Sequence, residues 1–201
     1  WRNGGPKTYT LTAGEEHLEL SSKNLGSADV TLVAAWLTTS AGGAIARLVL
    51  NGNMITNYGK DLSGLTALCD VLPALKNPIS LELANCNLKV AEVNELARAM
   101  AAGGAIARLS LAENHLIQGR PVESQEEYDQ YGDYMPDYAG FTPLCESLKG
   151  TKITELNLSQ CGLDVSATSS LADAIKFMGA LTSVNCLHNP LGEGVHIIIK
   201  V

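Results

Sequence analysis

Apolar positions recur along this chain in two alternating rhythms. In HLEL (17–20), RLVL (47–50), SLEL (80–83), RLSL (108–111) and ELNL (155–158) leucines stand two apart, and SVNC (183–186) keeps the spacing with Val and Cys. A two-residue period puts alternate side chains on one face, so each segment predicts a short strand with its leucines inward. Between these segments the period lengthens. Val33 and Leu37, Leu68 and Leu72, Leu96 and Met100, Leu144 and Leu148, Leu171 and Ile175 are each four apart, which places each pair on one side of a helix. Strand and helix therefore alternate along the chain.

The alternation is a true repeat. AGGAIARL occurs unchanged at 41–48 and 102–109, and alignment outward from the two copies gives a unit of the form apolar-x-x-Leu-x-Leu-x-x-Asn/Cys-x-Leu. It fits at 15–25, 45–55, 78–88, 106–116, 153–163 and 181–191. The first position of each Leu-x-Leu pair is Leu18, Leu48, Leu81, Leu109, Leu156 and Val184, at steps of 30, 33, 28, 47 and 28 residues. The base period is thus 28 residues, and two units carry insertions of 5 and 19 residues. Three residues past the second Leu-type position stand Lys23, Asn53, Cys86, Asn114, Cys161 and Asn189. The chain must turn sharply there, and a buried side chain is needed to satisfy backbone groups that the turn leaves unpaired. Lys23 breaks the rule and predicts a cap-like first unit with a solvated turn.

From Glu15 to Leu191 this pattern resembles the leucine-rich repeat family, and its alternation of Asn and Cys resembles the ribonuclease-inhibitor-like subfamily, whose long units carry a full helix. The resemblance implies an α/β solenoid of about six strand-helix units, a parallel sheet on the concave side and helices on the convex side. Residues 1–14 are expected to cap its start, with Tyr9 and Leu11 at strand spacing, and 15–201 to form the repeat domain. His196 to Val201 reads as a truncated helix or a short closing strand, truncation being preferred.

Composition narrows the function. A hydrophobic content of 46% with 17% charged residues can build a core, which argues against wholesale disorder. With 14 Lys and Arg against 21 Asp and Glu, the formal charge is −7, so nucleic acid and anionic membrane surfaces are poor partners. No apolar run approaches the roughly 20 residues of a spanning helix. The first residue is Trp and nothing resembles a signal peptide, and the expectation is a soluble, cytoplasmic segment of something longer, with nuclear or ciliary placement also open.

No catalytic or cofactor-binding constellation emerges. Cys69, Cys86, Cys145, Cys161 and Cys186 form no CxxC pair and read as buried structural thiols. His17, His115, His188 and His196 lack metal-ligand spacing, although strand alternation should bring His17 and His188 near the concave surface. The glycine pairs 42–43 and 103–104 follow helices and precede strands, the order of helix C-caps and the reverse of a phosphate loop. Asn157-Leu158-Ser159 matches a glycosylation acceptor by chance, because Leu158 must point inward.

Two surfaces remain as candidates. The outward strand positions include His17 and Glu19, Arg47 and Val49, Ser80 and Glu82, Arg108 and Ser110, Glu155 and Asn157. At about 4.8 Å per strand they set Glu19, Arg47, Glu82, Arg108 and Glu155 in a row of alternating sign, either a self-neutralising ladder or a partner-binding face. The second surface is the insertion 117–140 in the fourth unit. It holds Glu123, Glu126, Glu127, Asp129, Asp133 and Asp137 with four of the six tyrosines, Tyr128, Tyr131, Tyr134 and Tyr138. Residues 121–140 contain six acidic groups and no basic one, so the solenoid itself is nearly neutral. The segment reads either as a mobile acidic excursion or, since tyrosines on a loop make an adaptable hot spot, as the contact for a protein with a basic patch. Its aspartates lack the dense spacing of a calcium loop. The expected function is a non-enzymatic protein-interaction module or scaffold. Two alternatives are a regulator of a small GTPase, by analogy with the similar repeats of Ran GTPase-activating proteins, and a sensor or scaffold segment of a larger protein. No catalytic role falls to Arg47, Arg108 or Arg120.

Overall fold

A computed structural model of the chain describes residues 8–191. The segment His196 to Val201 and the first seven residues of the expected cap lie outside the described residues. Six strands form one parallel sheet: β1 (His17–Glu19), β2 (Arg47–Val49), β3 (Ile79–Glu82), β4 (Ile106–Ser110), β7 (Glu155–Asn157) and β8 (Ser183–Asn185). They are hydrogen-bonded in chain order. The helices that follow them are α1 (Ser27–Leu37), α2 (Ser63–Val71), α3 (Val90–Ala101), α5 (Phe141–Leu148) and α6 (Val165–Ile175). Consecutive helices pack on one another, and the arrangement is compatible with a repeat solenoid.

The inward positions are aligned across the sheet in one line, Leu18, Leu48, Leu81, Leu109, Leu156 and Val184. They join the apolar helix faces in a single continuous core. Val184 is only partly buried, in the last of the six strands. Tyr9 and Leu11 lie against the first unit, and the Tyr9 hydroxyl donates to Asp29 Oδ1 at 3.1 Å. Residues 8–12 form no strand.

The Asn and Cys positions stitch neighbouring units together. Asn114 Oδ1 accepts the N–H of Cys86 (3.0 Å) and of Leu88 (2.9 Å). Its Nδ2 donates to Leu83 O and Leu111 O at 2.8 Å each. Asn53 does the same to Lys23 N, Leu25 N, Leu20 O and Leu50 O, and Asn189 to Cys161 N, Leu163 N, Leu158 O and Cys186 O. At the intervening steps the thiols serve: Cys86 Sγ donates to Leu50 O (3.3 Å) and Cys161 Sγ to Leu111 O (3.1 Å). Among the described residues every junction between units thus has one polar side chain that spans it, buried at Asn53, Cys86, Asn114 and Cys161 and partly buried at Asn189. The first turn is not merely solvated, because Asn53 of the next unit holds the Lys23 N–H.

The two copies of AGGAIARL diverge in structure. Gly103 ends α3 at φ +85°, and Gly103 N and Gly104 N donate back to Met100 O and Ala99 O, the paired bonds of a left-handed helix stop. Helix α1 instead stops at Thr38, where the Thr38 and Thr39 hydroxyls bond Ala35 O and Trp36 O. Gly42 and Gly43 lie beyond that stop, which corrects the expectation that both pairs are C-caps.

Candidate functional site

On the exposed sheet face the side chains stand in two rows rather than one. His17, Arg47, Ser80, Arg108 and Glu155 are in register, and beside them run Glu19, Val49, Glu82, Ser110 and Asn157. The expected single row of alternating charge is a zigzag between them, and it closes into separate pairs. Arg47 reaches Glu82 Oε1 through both Nε and Nη2 at 2.6 Å, and Arg108 Nε meets Glu155 Oε1 at 3.1 Å. His17 lies 3.3 Å from Arg47 and 3.8 Å from Glu19. Among the described residues no ion pair links Glu82 to Arg108, so the ladder is interrupted at its middle. Exposed pairs of this kind contribute about 0–1 kcal/mol each. An open recess of about 460 Å³ lies on this face among Arg47, Glu82, Arg108, Glu155 and the polar ends of β7 and β8. Val49 departs from expectation: although its row faces outward, it is buried between Glu19 and Glu82. His188 is not on this face either, since it sits in the turn after β8 with φ +59°.

The insertion is folded. β5 (Gln118–Pro121) pairs antiparallel with β6 (Tyr134–Pro136), and α4 (Gln125–Tyr131) joins them. Ser124 caps α4 by accepting the Glu127 N–H at 3.2 Å. Arg120 closes the structure with a hydrogen-bonded ion pair to Glu127 (2.7 Å) and a looser ion pair to Glu123 (3.6 Å). That guanidinium, followed by the Glu123 N–H, holds the Glu127 carboxyl below its ordinary range. A base just outside the acidic stretch therefore neutralises part of it. Because β4 pairs directly with β7 and α3 packs directly on α5, the whole excursion is extruded without interrupting sheet or helix layer. Its return is fixed at Gly140, where a Cβ would lie 2.3 Å from Val90 O.

The four tyrosines divide into two roles. Tyr128, Tyr131 and Tyr134 are 51%, 40% and 44% exposed. Tyr138 is packed on the core and its hydroxyl donates to Asp164, the N-cap of α6. Burial, and then the bond to Asp164, raises the Tyr138 phenol above its usual value. It is a strut of the insertion and not part of the exposed set. Asp129 and Asp133 are exposed, Asp129 accepting from Gln125 Nε2 at 2.8 Å. Between the insertion and the turns of the fifth and sixth units lies a cavity of about 340 Å³, bordered by His115, Tyr131, Tyr134, Asp164 and Pro190. Sequence reasoning missed the parts played by Arg120, which stands just before the acidic run, and by Asp164 and Pro190, which the fold brings to the insertion from the fifth and sixth units.

Burial pushes the thiols of Cys69, Cys145 and Cys161 up to about 12 and those of Cys86 and Cys186 to about 11. They are poor nucleophiles in the folded chain. Among the described residues no group of three or more His, Cys, Asp or Glu side chains could hold a metal ion. No helix there is long and apolar enough to cross a membrane.

No family model matches the chain. Over 192 residues, 92% of its length, it is 27% identical to "NACHT, LRR and PYD domains-containing protein 5" of Bos taurus. The chain spans 15% of that protein. It is thus distantly similar to a protein with leucine-rich repeats.

Proposed function

We propose that the chain is a non-enzymatic protein-interaction module of leucine-rich repeats of the ribonuclease-inhibitor-like kind, with its repeat domain over 15–201. It grips a protein partner through the sheet face around Arg47, Glu82, Arg108 and Glu155 and through the insertion at Tyr128, Asp129, Tyr131, Asp133 and Tyr134. The observation that carries this reading is the folded insertion, held by Arg120 and Tyr138, that leaves three tyrosines exposed beside uncompensated acids. Ordered aromatics lose little side-chain freedom on contact and favour such surfaces. The alternation of Asn and Cys at the junctions supports the subfamily. The small share of the relative that the chain spans supports a second reading, in which this module is one segment of a larger multidomain protein.

The test is capture of partners from a cell extract, scored by mass spectrometry. Replacing 118–137 with a short Gly-Ser linker leaves Tyr138 in place, and the protein should keep its circular dichroism while losing its principal partner. R47E/R108E should weaken the same capture. Capture unchanged in both variants removes both proposed surfaces at once.

A further inference from the structure

We propose that the cavity between the insertion and the turns of the fifth and sixth units is a seat for an arginine or lysine side chain from a basic segment of the protein partner. This rests on the interaction reading above and gives it a location and a chemistry. At about 340 Å³ the cavity is at the small end of ligand pockets, sized for a side chain with its adjoining backbone and not for a folded element. Tyr131 and Tyr134 line it from the insertion, with Pro136 beside them, and Pro190 from the sixth unit. Tyrosine rings favour a cation and offer apolar contact to its aliphatic stem.

The charges around the cavity select the sign of the occupant. Asp164 lines it, and among the described residues its carboxylate accepts from Ala167 N (2.9 Å) and the Tyr138 hydroxyl. A carboxylate has about four acceptor sites, so lone pairs remain for an incoming N–H. The bond to Ala167 also caps the positive end of α6, which would otherwise oppose a cation. On the insertion the base Arg120 is committed to Glu127 and Glu123, whereas Glu126, Asp129 and Asp133 pair with no cation among the described residues. The resulting negative potential draws basic groups toward the cavity mouth. Gln118 and Gln130 line the cavity and can bond the backbone on either side of the seated residue.

The probe is a short fluorescein-labelled peptide of alternating arginine and glycine, with a glutamine-for-arginine peptide as control, read by fluorescence anisotropy on the whole chain. The arginine peptide should bind and the glutamine peptide should not. Y131L/Y134L keeps apolar bulk but removes the rings and should weaken binding about five- to tenfold, whereas Y131F/Y134F should retain it. D164N preserves the acceptor for Ala167 N–H and should also weaken binding. Absence of arginine-peptide binding overturns the proposal. So does equal binding by Y131L/Y134L together with loss in E126Q/D129N/D133N, which is attraction to an acidic surface without a seat. If replacing 118–137 abolishes partner capture while the pocket variants leave peptide binding unchanged, the seat falls and the interaction reading stands. If capture survives that replacement while peptide binding follows Tyr131, Tyr134 and Asp164, the seat stands and the wider reading falls.

Discussion

Replacing Asn114 by alanine should cost this protein much of its stability. The side chain is fully buried and makes five hydrogen bonds, to Cys86 N, Leu88 N, Leu83 O, Leu111 O and Ala112 O. Two of those acceptors have other partners: Leu111 O takes the Cys161 thiol and Ala112 O takes the Asn85 N–H. The N–H groups of Cys86 and Leu88 and the carbonyl of Leu83 rely on Asn114. Each orphaned buried group costs about 1–3 kcal/mol, and partial relaxation brings the sum to about 3–5 kcal/mol, a large part of an ordinary domain's 5–15. Asn189 makes the equivalent bonds but is only partly buried, so water can replace it and N189A should cost about 1 kcal/mol. Urea unfolding followed by far-ultraviolet circular dichroism measures both. If N114A lost less than about 1 kcal/mol with native secondary structure intact, the junction would not depend on this side chain and the reasoning would fail.

The octapeptide copies offer a matched pair. G103A forces a Cβ into φ +85° and should cost about 1 kcal/mol, whereas G43A meets only ordinary contacts at 3.6 and 3.8 Å and should be nearly neutral in the same unfolding assay. The thiols predict alkaline lability. Burial raises Cys69, Cys86, Cys145 and Cys161 to about 11–12, above the roughly 8.5 of an unfolded chain. The unfolded state then sheds protons first as pH rises. Stability is full below about pH 8.5 and falls above it, by up to about 1.4 kcal/mol per pH unit per buried thiol. Urea midpoints measured from pH 7 to 10.5 should drop accordingly, and C69A should flatten the slope. In native iodoacetamide labelling, Cys186, which alone among the five is partly exposed, should react first by peptide mass spectrometry.

What the sequence made legible followed from burial. Leu18, Leu48, Leu81, Leu109 and Leu156 could be placed in one line because a slip by one residue would turn each of them to solvent. The Asn and Cys positions were legible for a related reason, a turn that needs an internal hydrogen-bond partner. The insertion resisted because its strands are short, and neither Gln-Gly-Arg-Pro nor Tyr-Met-Pro carries an alternating apolar period. Its closure depends on Arg120 finding Glu127 across seven residues, a pairing that composition hides by assigning the two to different segments. Tyr138 resembled its neighbours in its acidic setting, yet a signal existed: it stands three residues before Phe141 and seven before Cys145, in step with the buried face of α5. The glycine pairs carry a different lesson. One octapeptide predicts one role twice, but the chain preceding it decides where each helix stops.

A sheet whose strand order equals chain order, joined only neighbour to neighbour, has a mechanical consequence. Under tension the described sheet has no hydrogen-bonded pairing between non-neighbouring strands that must break first, so it should peel one unit at a time. The 28 residues between Leu81 and Leu109 would release about 95 Å of extended chain. The 47 between Leu109 and Leu156 would release about 160 Å, so the unit that carries the tyrosines would mark itself in a force trace by its longer step.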